Sequence, residues 1–160
     1  MKKTICAFVF CLIVALPGAG RAEIKEESVY LRLVMDIFSN HIEAIELLTA
    51  IPGKYADNVV RHANALAGTA GLLDHAFPGD KNTSEKASWP WHSEAEFDKL
   101  AHAMQTSTRE LAVKAQTWLD AHKQGEEHAR QGHDRADFVA ALEHMKGTCR
   151  ACHGSARNWP

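Results

Sequence analysis

The chain has 160 residues, of which 46% are hydrophobic, and this predicts one globular domain with a single apolar core. Its formal net charge of −2 at pH 7 argues against nucleic acid as a partner. The chain contains no internal repeat and no low-complexity tract, so a fibrous or array-like architecture is not expected.

The first 22 residues predict a cleavable secretion signal. Lys2 and Lys3 precede an apolar run over residues 5–16, and small residues lead up to Ala22. This run of about a dozen residues is short of the ~20 that a bilayer-spanning helix needs, so no stable membrane insertion is expected. We therefore expect a periplasmic protein whose mature domain covers residues 23–160.

Removal of the signal changes both the charge and the cysteine content. Three basic residues lie in the signal, so the mature domain keeps 15 of the 18 Lys and Arg against 20 Asp and Glu. It is therefore about five units negative. Cys6 and Cys11 are lost as well, and the two cysteines that remain belong to one short motif near the C-terminus.

The mature domain shows no strand-like alternation. Its apolar residues recur in steps of three and four, the spacing of amphipathic helices, in four blocks: 31–48, 59–77, 97–118 and 138–152. Pro52 and Pro78 follow the first two blocks and predict where those helices end. Ser93 and Glu96 form a capping box before the third block, and Asp134 is the predicted N-cap of the fourth.

We predict an all-α fold, an antiparallel four-helix bundle, because the first and third connections are short. The long connection, residues 78–92, joins the second and third helices. It contains Trp89 and Trp91, which either cover the edge of a cofactor or anchor a loop that crosses the end of the bundle. The sequence leaves these two alternatives open.

The most specific motif is C-R-A-C-H, formed by Cys149, Cys152 and His153 with two residues between the cysteines. A C-x-x-C-H motif is the attachment signature of a c-type haem. On a helix each residue advances about 100°, so the three side chains fall within roughly 100° of arc and face one way. The two cysteines also continue the apolar stripe of the fourth block, which predicts a haem inside the bundle.

Other interpretations of Cys149 and Cys152 have less support in the sequence. A thioredoxin-like pair lies at a helix N-terminus after an early strand, whereas this pair lies near the C-terminus. A zinc site needs two more ligands, and no second C-x-x-C is present. The remaining alternative is that the motif arose by chance and that the two cysteines form a disulfide or stay as thiols with no cofactor. His122, His128 and His133 in the third connection predict a solvated turn rather than a metal site.

The residues resemble those of class II c-type cytochromes, the cytochrome c′ and cytochrome c-556 family. The resemblance rests on the C-terminal motif, on Ala76-Phe77-Pro78-Gly79 after the second block, on a Trp shortly before the third block and on four blocks of matching length. It covers essentially the whole mature domain. It implies a four-helix bundle that holds one covalent haem c, with His153 as the proximal ligand of the iron.

The resemblance also implies roles for residues outside the motif. In the family the first helix crosses the haem face opposite the proximal histidine, where it carries either an iron-binding Met or an apolar side chain that blocks the face. Met35 lies at about this position and is the candidate distal ligand. Arg157 and Arg32 are the candidate contacts of the haem propionates. Ala156 departs from the family, which commonly has an aromatic residue there.

Three other side chains are weaker candidates for the distal position. Met104 lies on the third stripe, where packing is the expected role of a methionine. Met145 lies one turn before Cys149 on the haem-bearing helix itself, so it does not easily reach the opposite face. His41 is turned roughly 120° from Met35 on the first helix.

The distal ligand decides the predicted function. Ligation by Met35 gives a low-spin iron with a raised reduction potential, which suits one-electron transfer between redox partner proteins. If Met35 only blocks the face, a five-coordinate iron could bind nitric oxide or carbon monoxide, and this is the alternative prediction. No second catalytic constellation accompanies the motif, so we do not expect an enzyme. The resemblance also implies a homodimer through the first two helices.

Overall fold

The computed structural model describes residues 26–51, 54–76, 93–124 and 128–155, and within them all side chains except those of 26–28, 75 and 128–131. These residues form four α-helices and one 3₁₀ turn, and no strand occurs among them. The elements are α1 Glu26–Thr49, α2 Ala56–Ala70, the 3₁₀ helix Gly71–His75, α3 Glu94–Lys123 and α4 His128–Ser155. The predicted all-α four-helix bundle is confirmed.

The helices run antiparallel to their neighbours. Lys123 Nζ at the end of α3 lies 2.7 Å from the carboxylate of Asp57 at the start of α2. Lys114 on α3 pairs with Asp137 on α4, while Glu110, one turn earlier on α3, contacts His144 further along α4. The end of α3 therefore lies beside the start of α2, and the order of pairs reverses between α3 and α4, as expected for antiparallel neighbours in a bundle.

The core is one apolar cluster to which all four helices contribute. Helix α1 packs on α2, α2 on α3, and α3 on α4. Burying a large aliphatic or aromatic side chain contributes about 1.5–3 kcal/mol, so these stripes dominate the stability of the bundle. The largest fully buried apolar side chains are Leu31, Val34, Ile45, Val59, Leu66, Leu111, Phe138 and Met145.

The start of α3 follows the prediction. The Ser93 hydroxyl accepts a hydrogen bond from the backbone N–H of Glu96 at 3.1 Å, and Ser93 has extended backbone angles. Glu94 and Glu96 lie in the first turn, where negative charge is favourable next to the unpaired N–H groups. This end of the helix is therefore defined locally by the sequence.

The second helix ends earlier than its apolar stripe suggested. The α-helix stops at Ala70, and Gly71–His75 continue as a 3₁₀ turn in which Leu73 is buried. A tertiary contact accounts for the tighter turn, because Asp74 accepts a hydrogen bond of 2.6 Å from the buried side-chain amide of Gln105 on α3. The apolar spacing alone does not distinguish an α-turn from a 3₁₀ turn over so short a stretch.

The predicted N-cap of the fourth helix is wrong. Helix α4 begins at His128, so Asp134 lies inside the helix and does not cap it. Gly132 also lies inside α4, since a glycine costs only about 1 kcal/mol in a helix and packing of the later turns offsets this. The third connection is correspondingly shorter than the sequence suggested.

Several predictions fall outside the described residues. These are the secretion signal over residues 1–22, the part of the long connection that carries Trp89 and Trp91, and Ala156 and Arg157. Within the described ranges, every helix is too short or too polar to span a lipid bilayer.

Candidate cofactor cavity

A cavity of about 220 Å³ lies between α1, α3 and α4, with Leu73 of the 3₁₀ turn at one side. Its lining is mostly apolar, and no Asp, Glu, Lys or Arg belongs to the described residues that form it. The lining residues are Met35, Phe38, Ser39, Ile42, Leu73, Phe97, Leu100, Ala101, Met104, Cys149, Cys152 and His153.

The motif residues form the α4 wall of this cavity. Cys149 and Cys152 are partly buried and pack against the core, whereas His153 lines the cavity but is largely exposed to solvent. The predicted common orientation of the three side chains is therefore present in the structure. It follows from their positions in the last two turns of one continuous helix, α4.

The environment of Cys149 suits a thiol that stays protonated. Burial is the main cause that raises the pKa of Cys149 above its ordinary value of 9.0, although its own backbone and Arg150 act in the opposite direction. The Sγ of Cys149 also lies 3.8 Å from the Sδ of the buried Met145. A redox-active C-x-x-C pair instead has a lowered thiol pKa at a helix N-terminus, so the thioredoxin-like alternative does not fit this site.

Two methionines face the cavity from different helices. Met35 lies on the α1 wall with Phe38 and Ile42, and its role as the distal ligand stays a prediction. Met104 lies on the α3 wall and is almost completely buried. The sequence predicts core packing as the main role of Met104 and makes it only a weak candidate for the distal position. Its place on the third apolar stripe is equally compatible with core and cavity, so spacing could not separate the two.

Of the two candidate propionate contacts, only Arg32 belongs to the described residues. Arg32 is exposed on α1, one turn before Met35. This places it on the same helix as the predicted distal ligand, near the solvent side of the bundle. Its role, like that of Arg157 outside the described residues, stays a prediction.

The prediction that His122, His128 and His133 lie in a turn is wrong, because His122 belongs to the last turn of α3 and the other two belong to α4. His122 and His133 are exposed, and His133 lies 3.8 Å from Asp137, while the side chain of His128 is not described. In the described part of the chain no group of three or more His, Cys, Asp or Glu side chains is placed to hold a metal ion.

The donor set of the cavity fits a covalent haem. Two thiols and an imidazole share the α4 wall, a thioether stands on the α1 wall, and the surfaces between them are hydrocarbon. Haem iron is commonly held by His, or by His together with Met, and an apolar surrounding protects the ring from solvent. None of the described residues that line the cavity is Asp, Glu, Lys or Arg.

The comparison with known proteins points in the same direction. The chain is similar to a cytochrome c′ of Rhodospirillum rubrum. The two are 27% identical over 161 residues, which is 96% of this chain and 96% of the relative. No protein-family model matches the chain, and no solved structure matches it at a significant level. The similarity thus extends along the whole bundle and is not confined to the C-terminal motif.

Proposed function

We propose that the protein is a periplasmic monohaem c-type cytochrome of the cytochrome c′ family that transfers single electrons between redox partner proteins. The supporting observation is the position of Cys149, Cys152 and His153 on one wall of an apolar cavity, in a bundle similar along its length to a cytochrome c′. When bound, the haem would supply a one-electron ferric–ferrous couple.

In this proposal Cys149 and Cys152 hold haem c by two thioether bonds. Each thiol adds its sulfur and its proton across one vinyl double bond, so no oxidant is consumed. Both cysteines are partly buried at the cavity edge, and burial raises the pKa of the Cys149 thiol, which is consistent with this addition. His153, one residue after Cys152, supplies the proximal imidazole and is close enough to the surface to form part of an exposed edge.

Met35 is proposed as the distal ligand. It lines the cavity from α1, whereas the motif lines it from α4, and its flexible thioether can adjust its reach. Met–His ligation raises the reduction potential and keeps the same ligands in both oxidation states, which favours electron transfer. The apolar side chains beside it, Phe38 and Ile42, exclude water from this face.

The apolar lining also supports a second candidate function. If Met35 does not bind the iron, this face of the cavity offers hydrocarbon and a single hydroxyl, that of Ser39. Such a space admits nitric oxide or carbon monoxide more readily than a charged ligand. An enzyme is not proposed, because no carboxylate or lysine lines the described cavity to act as an acid or base.

We also propose that residues 1–22 are removed on export, that residues 23–160 form the haem domain, and that this domain forms a homodimer through α1. Five large apolar side chains are exposed along one face of α1 and just beyond its end: Tyr30, Leu33, Ile37, Leu47 and Ile51. They lie on a different face of α1 from the buried core residues of that helix. An exposed apolar stripe of this kind is typical of an interface.

The decisive experiment is expression with a functional c-type maturation system, followed by absorption spectroscopy and intact mass measurement. The proposal predicts a haem band and a mass equal to residues 23–160 plus one haem. A Cys149→Ser/Cys152→Ser variant should lose the covalent haem, while Ser39→Ala, which removes a polar group from the opposite wall, should retain it. A colourless wild-type protein with the mass of the bare polypeptide would overturn the proposal.

A further inference from the structure

A pair of histidines joins α1 and α2 outside the cofactor cavity. The Nδ1 atoms of His41 on α1 and His62 on α2 lie 2.9 Å apart, and the two ring centroids are 5.2 Å apart with planes inclined by 55°. Both side chains are partly buried, so solvent reaches the pair without surrounding it. Neither residue lines the cavity, and the proposed haem chemistry does not use them.

The short nitrogen–nitrogen distance restricts the protonation state. One ring must donate its Nδ1–H and the other must accept, because two protonated nitrogens at 2.9 Å would repel each other. Burial first, and the neighbouring His62 second, lower the pKa of His41 below its ordinary value of 6.5. A single Nδ1 proton therefore lies between the two rings, and burial disfavours the charged form of His41.

We propose that His41 and His62 form a two-histidine site for a divalent transition metal ion, which binds copper(II) more tightly than zinc(II). The ion would bind both Nδ1 atoms and link α1 to α2, and the proton of the donor ring would move from Nδ1 to its own Nε2 through solvent. Water would complete its coordination from the solvent side. The proposal is independent of haem attachment, because it uses no residue of the cavity.

The distance between the two nitrogens favours copper. With metal–imidazole bonds of about 2.0–2.1 Å, nitrogens 2.9 Å apart subtend an angle of about 90° at the metal. That angle is the one between adjacent ligands in square-planar or tetragonal coordination, which copper(II) prefers. Tetrahedral zinc would need the nitrogens about 0.4 Å further apart than they are in the structure, and therefore a larger rearrangement of the two rings.

The side chains can reach the required orientation without moving the backbone. Each Nδ1 lone pair must turn by about 45° from the line between the nitrogens, and the χ2 torsion of histidine has broad minima that allow such a rotation. The positions of His41 and His62 on two packed helices keep the nitrogens close before any metal arrives. Binding thus loses little conformational entropy.

The test is titration of the ferric, haem-bearing protein with copper(II) sulfate and, separately, with zinc chloride, followed by calorimetry and thermal unfolding. The matched variants are His41→Gln and His62→Gln. The control is His102→Gln, at an exposed position on α3. Circular dichroism verifies that each variant keeps the helix content of the wild type.

We expect one copper(II) per chain in the wild type and in His102→Gln, and a loss of affinity of at least about tenfold in either pair variant. Copper(II) should raise the midpoint of thermal unfolding only where the pair is intact, since an ion that binds the folded state stabilises it. The proposal is wrong if the pair variants bind copper as tightly as the wild type, which would mean adventitious binding at exposed histidines. Tighter binding of zinc than of copper would contradict the proposed geometry.

Discussion

The Sγ of Cys149 lies 3.8 Å from the Sδ of Met145, one turn earlier on the same helix. Met145 is fully buried and is not among the described residues that line the cavity, so it packs behind the thiol on the inner side of α4. Met35 and Met104 are the two described methionines with access to the space in front of the motif. If the proposed distal ligand is a methionine of the described residues, it is therefore one of two side chains on two different helices.

Replacement of Met35 by Leu should open the distal position. Leucine fills a similar volume but cannot bind iron, so a low-spin protein that ignores carbon monoxide should become one that binds it when reduced, and its reduction potential should fall. The reduced absorption spectrum with and without carbon monoxide measures the change. Met104→Leu is the control and should leave the spectrum unaltered. If only Met104→Leu opened the site, the α3 methionine would be the ligand.

Replacement of Leu47 by Glu should break the proposed homodimer. Leu47 is 67% exposed on the apolar face of α1, and a carboxylate there would lose its hydration on association. Sedimentation velocity should show a dissociation constant raised at least about tenfold. Val113→Glu is a matched control, because Val113 is 64% exposed on α3, away from this face. Equal effects of the two substitutions would argue against α1 as the interface.

Replacement of Phe138 by Ala should destabilise the bundle. Phe138 is fully buried on α4 and stacks on Trp118 of α3, with ring centroids 5.3 Å apart and an interplanar angle of 16°. Truncation of a buried phenylalanine costs about 3–5 kcal/mol of unfolding free energy. The adjacent Val139 is 37% exposed, so Val139→Ala should cost less than about 1 kcal/mol. Urea unfolding followed by circular dichroism distinguishes the two.

The His41–His62 contact should make stability depend on pH in a defined direction. Because the pKa of His41 is lowered in the folded state, the unfolded chain binds a proton more readily as the pH drops below 6.5. The contribution of neutral His41 to the free energy of unfolding is therefore complete above pH 6.5, and it is lost as the pH falls through the lowered pKa. Urea unfolding without added metal, at about pH 7.5 and about pH 5.5, should show a larger loss for the wild type than for His41→Gln. An equal loss in both proteins would contradict the expected contribution of this histidine.

The features that the sequence predicted well are those fixed by local spacing. The steps of three and four residues located the four helices, and the Ser93 cap marked the start of α3, because both depend on neighbouring residues alone. The common orientation of Cys149, Cys152 and His153 followed from helix geometry in the same way. Local periodicity was therefore enough to predict the bundle and the main wall of its cavity.

The features that the sequence did not predict depend on contacts between distant residues. The 3₁₀ turn after α2 is held by Gln105, which lies 31 residues beyond Asp74. The contact of His41 with His62 depends on how α1 is rotated against α2, which spacing within one helix does not specify. Whether Met104 faces the core or the cavity likewise depends on how α3 is rotated against its neighbours. The start of α4 at His128 shows that one glycine is a weak stop when the rest of a helix is packed.

Polar contacts join α4, the last helix, to α1, the first. Lys146 on α4 donates to Glu46 on α1 at 2.7 Å and to Glu143 at 2.9 Å, and Arg135 donates to the backbone carbonyl of Thr49 at 3.3 Å. Polar pairs also cross the other helix pairs, for example Lys123–Asp57 between α3 and α2. A planar cofactor that entered between α1 and α4 would separate partly exposed charges, which water can solvate, while the apolar core cluster stayed packed.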